Sequence, residues 1–149
     1  MRNRLVLALL AFGLVAASCG DDTSVFDLSV GDCFNDSEDL TQTEVSDQAE
    51  ISDVDTVDCS EPHDNEIYYE YSMTDALFPG ADAILGVTSE RCLDQFAGFV
   101  GIDYLDSDLD LFPITPTSNS WAEGDRVVYC GLYAMDFSKL AGTMAGSRR

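Results

Sequence analysis

Basic residues are scarce in this chain. Lysine and arginine together number seven against 28 aspartates and glutamates, and the net charge at pH 7 is −21. Arg2 and Arg4 lie in an N-terminal segment that we expect to be removed, which leaves five basic residues against 28 acidic ones, a net charge of −23. A field of this sign repels nucleic acids and argues against DNA or RNA as a partner. It favours cationic partners, divalent cations, or simply solubility.

Long apolar runs are also scarce. The run Leu5–Ala17 spans thirteen residues and follows two arginines. It is too short to cross a hydrocarbon core, but it matches the apolar region of a secretory signal. The run leads into the sequence VAASCG around Cys19, which resembles the lipobox of bacterial lipoproteins, where small residues precede a lipidated cysteine. Ala16 stands where that pattern usually has leucine or valine, and an ordinary signal with a free Cys19 is the alternative.

These features predict three segments. Residues 1–18 are expected to be a lipoprotein signal peptide, residues 19–24 a short tether, and residues 25–149 a single domain large enough to bury a core. The tether reaches only about 15 Å when extended. The domain is therefore expected to lie close to the outer face of the cell membrane, anchored through Cys19.

Closely spaced cysteine pairs are missing. After Cys19, the gaps between Cys33, Cys59, Cys92 and Cys130 are 26, 33 and 38 residues. Zinc sites normally contain close pairs, so the spacing argues against zinc. Four cysteines in an exported chain indicate two disulfides, for which three pairings exist. We favour Cys33–Cys59 with Cys92–Cys130.

Apolar periodicity predicts an α+β fold. From residue 81 to residue 100, apolar side chains recur at the three- and four-residue spacing of an amphipathic helix, and Gly101 suits its end. Strand patterns rich in β-branched and aromatic residues occur at residues 54–59, 66–73 and 126–134. We expect a small antiparallel sheet packed on one main helix, with the two disulfides at its margins.

The remaining segments have less regular patterns. Residues 25–30 predict a first strand or an extended lead-in, and residues 35–53 predict a mobile acidic loop. Residues 106–111 alternate aspartate with leucine, which is typical of a strand with one solvated face or of a turn. Residues 119–123 predict a short helical turn, and residues 142–149 a loose basic tail.

Several short motifs follow one another along the chain. They are VGDCF at residues 30–34, VDCSEPHDNE at residues 57–66, a lone helical Cys92, Pro116-Thr117, and WAEGDR at residues 121–126 leading to Cys130. In this order, with four cysteines in place, they resemble the septum-formation domain family of actinobacterial exported and membrane proteins over residues 25–148. The resemblance implies an extracytoplasmic compartment and a link to the division septum. It implies no mechanism, because no catalytic residues are established for the family.

One histidine is a candidate for catalysis. His63 lies beside Asp64 and close to Glu66 in the sequence, and an imidazole near a carboxylate is a common acid–base arrangement. The alternative is a structural histidine at a strand junction that bonds the backbone near Pro62. The first interpretation predicts a small cell-envelope hydrolase; the second predicts no chemistry.

A run of aspartates is a candidate for cation binding. The carboxylates of Asp103, Asp106, Asp108 and Asp110 are hard oxygen ligands of the kind that calcium takes. The run lacks the glycine and the distal glutamate of an EF-hand loop, so a solvated strand face is the simpler interpretation. A divalent-cation-binding module stays an alternative.

Aromatic residues offer a third candidate site. Trp121, together with tyrosines on the predicted strands, is a candidate recognition surface for a wall sugar or peptide, while a core position is the alternative. Arg126 follows a turn, and we expect it to pair with Asp32 or Asp125.

The sequence as a whole therefore predicts a lipid-anchored, non-enzymatic interaction domain without a cofactor. Its expected partners are envelope or division-site proteins and, through the anchor, the membrane.

Overall fold

The computed structural model describes residues 21–36 and 53–149 as a six-stranded antiparallel sheet packed against one long helix. The α+β fold predicted from the sequence is confirmed. The signal peptide, Cys19 and most of the predicted acidic loop lie outside the described residues, so those interpretations stay predictions.

The strands follow one another along the chain but not across the sheet. They are β1 (Asp21–Ser24), β2 (Cys33–Asn35), β3 (Asp53–Val57), β4 (Asn65–Ser72), β5 (Leu109–Ile114) and β6 (Val127–Ala134). Across the sheet the order is β1-β3-β2-β4-β6-β5, and every neighbouring pair is antiparallel. β1 and β5 are therefore the two edges.

Helix α1 (Ala81–Val100) covers one face of the sheet, which we call the helix face. Its bounds agree with the apolar periodicity of the sequence. A single stripe of its side chains is buried, consisting of Ile84, Thr88, Cys92, Phe96 and Val100. The helix ends at Gly101, whose φ of 91° lies in the left-handed region that glycine adopts without a steric penalty. A second helix, α2 (Ser118–Glu123), is a single capped turn.

An irregularity in β4 strengthens the helix face. Ile67 pairs with Gly131 and Tyr69 pairs with the adjacent Cys130, so Tyr68 is the extra residue of a bulge. The bulge lets both Tyr68 and Tyr69 pack into the core beneath α1. The Tyr68 hydroxyl donates a 2.7 Å hydrogen bond to the Cys92 carbonyl, which satisfies its buried polar group.

Two disulfides fix the helix and one end of the sheet. Cys92–Cys130 joins α1 to β6, and Cys33–Cys59 joins β2 to the turn that follows β3. The pairing favoured from the sequence is confirmed. Each bridge closes a long loop and thereby stabilises the fold by about 2–4 kcal/mol.

The N-terminal segment differs from the sequence prediction. Strand β1 lies within the residues predicted to be a tether, and it pairs with β3 along its whole length. The segment predicted as a first strand instead begins with a 3-10 turn at Val25–Asp27, from which Val25 and Leu28 reach the core. Ladder pairing decides this outcome, because β1 has no apolar alternation of its own.

The C-terminal segment also differs from the loose tail that we predict. Thr143 Oγ1 and the Met144 amide both donate hydrogen bonds to the carboxylate of Glu66, which is fully buried. Further along, the Arg148 amide donates to the Val100 carbonyl at 2.9 Å. A buried carboxylate needs donors, and the tail supplies them.

Candidate functional site

The two faces of the sheet are covered very differently. Along β6, Val128, Cys130 and Leu132 are fully buried against the helix face. Tyr129 and Tyr133 alternate with them and point to the opposite face, which we call the open face. The N-terminal turn covers part of the open face by packing Val25 and Leu28 near Tyr129. Among residues 21–36 and 53–149, no residue of α1 or α2 lines the rest of the open face around Phe112 and Tyr133.

A cleft of about 280 Å³ lies on this part of the open face. Its apolar wall consists of Phe34, Val54, Phe112, Ile114, Tyr133, Ala134 and Phe137, and its polar rim of Asn35, Asp36, Asp64, Asn65 and Ser138. We call it the aromatic cleft. An apolar concavity with a few convergent polar groups is the usual form of a binding site.

Four aromatic rings form a continuous row along the cleft. The ring centroids of Phe34 and Phe112 are 6.4 Å apart, those of Phe112 and Tyr133 are 6.1 Å apart, and those of Tyr133 and Phe137 are 5.6 Å apart. Exposure rises along the row from Phe34, which is buried, to Phe137, which is 81% exposed. The row therefore leads from the core to the solvent.

A glycine makes room for the second ring of the row. Phe112 on β5 pairs with Gly131 on β6. A β-carbon at Gly131 would lie only 2.3 Å from Cζ of Phe112. Only glycine lets the Phe112 ring lie directly over the neighbouring strand, where it forms the floor of the cleft.

Phe137 has an unfavourable backbone conformation. Its φ is 58°, in the left-handed region that costs a non-glycine residue about 1–2 kcal/mol. Its amide donates to the Ala134 carbonyl at 2.8 Å, which closes a turn directly after β6. The turn stacks the exposed ring on Tyr133 at the mouth of the cleft. Strained residues of this kind cluster at binding sites.

The rim of the cleft is acidic, and the ammonium group of Lys139 is bound to it. Lys139 Nζ donates to Asn35 Oδ1 and to Asp64 Oδ2, both at 2.7 Å. Asn65 Nδ2 donates to Asp36 Oδ1 at 2.7 Å, and the Asp36 amide donates to Asp64 Oδ2 at 3.0 Å. The Asp64 carboxylate is therefore paired with the ammonium group of Lys139, whereas the Asp36 carboxylate is bonded to the Asn65 amide.

A tyrosine–aspartate cluster supports one side of the cleft. The hydroxyls of Tyr104 and Tyr133 donate to the two carboxylate oxygens of Asp110, at 2.6 and 3.1 Å. The hydrogen bond from Tyr104 lowers the pKa of Asp110. The same bond, with burial and the negative charge of Asp110, raises the pKa of Tyr104 to about 12. Tyr133 is thus held between Asp110 and the ring of Phe137.

The four aspartates proposed as calcium ligands do not form a common site. Asp110 binds tyrosine hydroxyls, and Asp108 Oδ2 pairs with Arg149 at 3.2 Å. Asp103 directly precedes a 3-10 turn, and Asp106 is the last residue of that turn. Within residues 21–36 and 53–149, the single group of three potential ligand residues is Cys33, Cys59 and Glu66, and its two sulfurs are joined in a disulfide.

The histidine proposed for catalysis is structural in its contacts. His63 is fully buried, and its Nδ1 lies 2.8 Å from the Glu61 carbonyl oxygen. Its Nε2 has no hydrogen-bond partner among the described residues. Asp64 binds Lys139, and Glu66 binds the C-terminal segment, so neither carboxylate reaches the imidazole. The three residues therefore do not assemble an acid–base pair.

The tryptophan proposed for binding is a core residue. Trp121 is 4% exposed and packs edge-on against Phe78, with ring centroids 5.6 Å apart. The guanidinium of Arg126 lies 3.9 Å from the Trp121 ring centroid. Arg126 donates to the carbonyls of Trp121 and Asp125 instead of to a carboxylate. Both residues therefore stabilise the turn before β6.

The outer edge of β5 is closed to further strand pairing. The amide of Leu109 donates to Ser107 Oγ at 3.0 Å, and that of Leu111 donates to Asp110 Oδ1 at 2.8 Å. Pro113 has no amide proton. The outward-facing backbone amides of this edge strand are therefore either bonded to nearby side chains or, at Pro113, absent. This blocks the addition of another strand at β5.

The fold and the site define a class of protein: a small, disulfide-bonded α+β domain with an aromatic cleft on its open face. None of the helices in the described parts of the chain has both the length and the apolar character needed to span a membrane. A family model described as septum formation matches residues 31–147, and the chain belongs to this family. Comparisons with curated proteins and with solved structures give no match.

Proposed function

We propose that this protein is a lipid-anchored interaction domain on the outer face of the cell membrane, where it contacts an envelope or division-site protein through the aromatic cleft. The observation that carries the proposal is the row of rings ending in Phe137, an exposed side chain held in a strained conformation. Membership of the septum-formation family supports a role in division or the envelope.

The position of β1 supports the anchored arrangement. β1 begins at Asp21, two residues after Cys19, and forms one edge of the sheet. Neighbouring strands lie about 4.8 Å apart, so β5 at the other edge lies about 24 Å from β1. A lipid on Cys19 would hold the β1 edge at the membrane, and the cleft would extend from Val54 on β3, the strand next to β1, to Phe112 on β5 at the far edge.

A binding role agrees with the side-chain chemistry better than an enzymatic one does. The only histidine of the sequence is fully buried, and within residues 21–36 and 53–149 its ring bonds the Glu61 carbonyl oxygen and no carboxylate. The wall of the cleft is formed by apolar and aromatic side chains, which supply contact area, and the Asp64 carboxylate on its rim is bonded to Lys139. Aromatic side chains at a concave surface are typical of interaction hot spots.

Localisation of an external fluorescent fusion in dividing cells tests the proposal. We expect the wild-type fusion to concentrate at the constriction site and Phe137→Ala to spread over the membrane. The matched control is Leu105→Ala, which removes a 92% exposed side chain that does not line the cleft and should leave the pattern unchanged. Cys19→Ala should release the protein from the membrane.

The outcomes separate the parts of the proposal. A uniform wild-type signal would remove the division-site role. A Phe137→Ala fusion that localises like wild type would show that the cleft is not the contact surface. Retention of Cys19→Ala at the membrane would contradict the lipid anchor.

A further inference from the structure

We infer that the aromatic cleft binds a basic peptide segment of its partner, with one aromatic or aliphatic side chain in the cleft and a flanking lysine or arginine on the acidic rim. The inference rests on the proposed function, because it assigns a ligand class to the same surface. It depends on the size of the cleft, the charge around it, and the closed edge of the sheet.

The size of the cleft suits one anchoring side chain. At about 280 Å³, it is smaller than the pockets of about 300–1,000 Å³ that enclose drug-sized ligands. Its floor and walls are rings and aliphatic groups, and its polar groups form the rim described above. An apolar side chain can bury itself there while the peptide backbone stays on the rim.

The charge around the cleft selects a cation beside that anchor. Asp36 and Asp64 are on the rim, and Lys139 is the basic side chain bound there. The net charge of −21 attracts basic segments and repels acidic ones at long range.

Lys139 shows how an incoming cation would bind. Its ammonium group occupies a position between Asn35 Oδ1 and Asp64 Oδ2, and its side chain is 49% exposed. An exposed ion pair of this kind contributes little stability and exchanges readily. A lysine or arginine of the partner can replace Lys139 at these two oxygens.

The closed edge of β5 argues for recognition by side chains. Peptides often bind a sheet by adding a strand, which requires free backbone donors at an edge. The outward amides of Leu109 and Leu111 are already bonded, and Pro113 has none. A peptide near β5 must therefore use the cleft on the open face.

Peptide titrations followed by NMR test the ligand class. The protein is the chain from residue 19 onward with Cys19→Ala, and the probe is the blocked peptide Gly-Lys-Phe-Lys-Gly. We expect shifts confined to cleft amides at millimolar peptide, with affinity about tenfold lower when the lysines become glutamates or the phenylalanine becomes alanine. No shifts at the cleft, or equal shifts with the glutamate peptide, would overturn the inference.

Two variants of the rim give effects of opposite sign. Lys139→Gln removes the competing cation and should strengthen binding of the lysine peptide several-fold. Asp64→Asn should weaken binding several-fold, whereas Asp94→Asn, which removes the same charge from an exposed position on α1, should change it little. Weaker binding of the lysine peptide to Lys139→Gln would overturn the inference, because Lys139 would then not compete with the peptide for the rim oxygens.

Failure of this inference is distinguishable from failure of the proposed function. If Phe137→Ala abolishes localisation in cells but the lysine peptide does not bind, the cleft is the contact surface and its ligand belongs to another class, such as a wall polymer. If the peptide binds and Phe137→Ala still localises normally, the ligand class is right and the cellular role is wrong.

Discussion

The helix face and the open face of the same sheet carry different kinds of aromatic residues. Under α1, Phe96 is fully buried and contacts Tyr68 and Tyr104 edge-on, with ring centroids 6.0 and 5.3 Å away. On the open face, Phe137 contacts the single ring of Tyr133 and is 81% exposed. Two phenylalanines of the same domain thus have opposite environments, one fully buried and one largely exposed.

The stabilising contacts named above are concentrated on the helix face, and the proposed binding surface lies on the open face. The helix face has the Cys92–Cys130 disulfide, the buried stripe of α1 and the bonds from the C-terminal segment to Glu66. The open face has a strained turn and apolar surface in contact with water. Exposed apolar surface of this kind adds no stability to the domain, which agrees with the binding role that we propose for the cleft.

The same substitution on the two faces should give the largest contrast. Phe96→Ala leaves a cavity in the core and should lower the free energy of unfolding by about 3–5 kcal/mol. Phe137→Ala removes an exposed ring and should change that free energy by no more than about 0.5 kcal/mol. Urea unfolding followed by circular dichroism measures both values.

Equal losses in the two variants would break the comparison, because Phe137 would then belong to the core. Near-native stability of Phe96→Ala would show that the helix face is not the principal core.

The floor of the cleft allows a test of intermediate size. Gly131→Ala places a methyl group against the Phe112 ring and should destabilise the domain by about 1–3 kcal/mol through overpacking. Gly98→Ala on α1 meets no atom within 4 Å and should stabilise the helix by about 0.5–1 kcal/mol. Thermal unfolding of both variants tests this, because the melting temperature should fall in Gly131→Ala and rise in Gly98→Ala.

A double-mutant cycle identifies the cause of the Gly131 effect. In a Phe112→Ala background the added methyl group has room, so most of the penalty should disappear. An unchanged penalty would mean that the strand backbone, and not the ring, requires glycine at position 131.

Local signals explain what the sequence predicts well. The bounds of α1 follow from apolar spacing and from Gly101 at its end, both readable within one segment. The strands around Ile67 and Val128 have β-branched and aromatic residues, and the two disulfides follow from an exported chain with four spaced cysteines. These features define the sheet, the helix and their connection.

Long-range contacts explain what the sequence does not predict. β1 is a strand only because β3 lies beside it, and the C-terminal tail is fixed by Glu66, 77 residues from Thr143. The cleft depends on the register that places Phe112 over Gly131 and on the turn that raises Phe137. The signal available in the sequence is limited to the alternation of residues 110, 112 and 114 with Leu109, Leu111 and Pro113.

The smallest predicted effect concerns the support of the cleft and its dependence on pH. Hydrogen bonding from Tyr104 holds the pKa of Asp110 below its ordinary value of 3.8. The stabilisation from this carboxylate is therefore fully present above about pH 3.8 and is lost as the pH falls through the lower folded-state pKa. Asp110→Asn should lower the free energy of unfolding by about 0.5–1.5 kcal/mol at pH 7 and by less in strong acid. The loss is modest because Asp110 is only half-buried.

The stability gap is the difference in unfolding free energy between wild type and Asp110→Asn. Urea unfolding at pH 7 and at about pH 2.5 measures how this gap changes, since the lower pH lies below the ordinary pKa range of aspartate. Asp94→Asn is the control, since it removes one exposed carboxylate from α1 and reports the general effect of charge in an acidic protein. The gap between wild type and Asp110→Asn should narrow in acid more than the gap for Asp94→Asn does. A gap that stays constant would show that the two tyrosines do not bind the ionised form preferentially. Tyr133 would then be positioned by its contact with Phe112 and Phe137, and the open face would depend on aromatic packing alone.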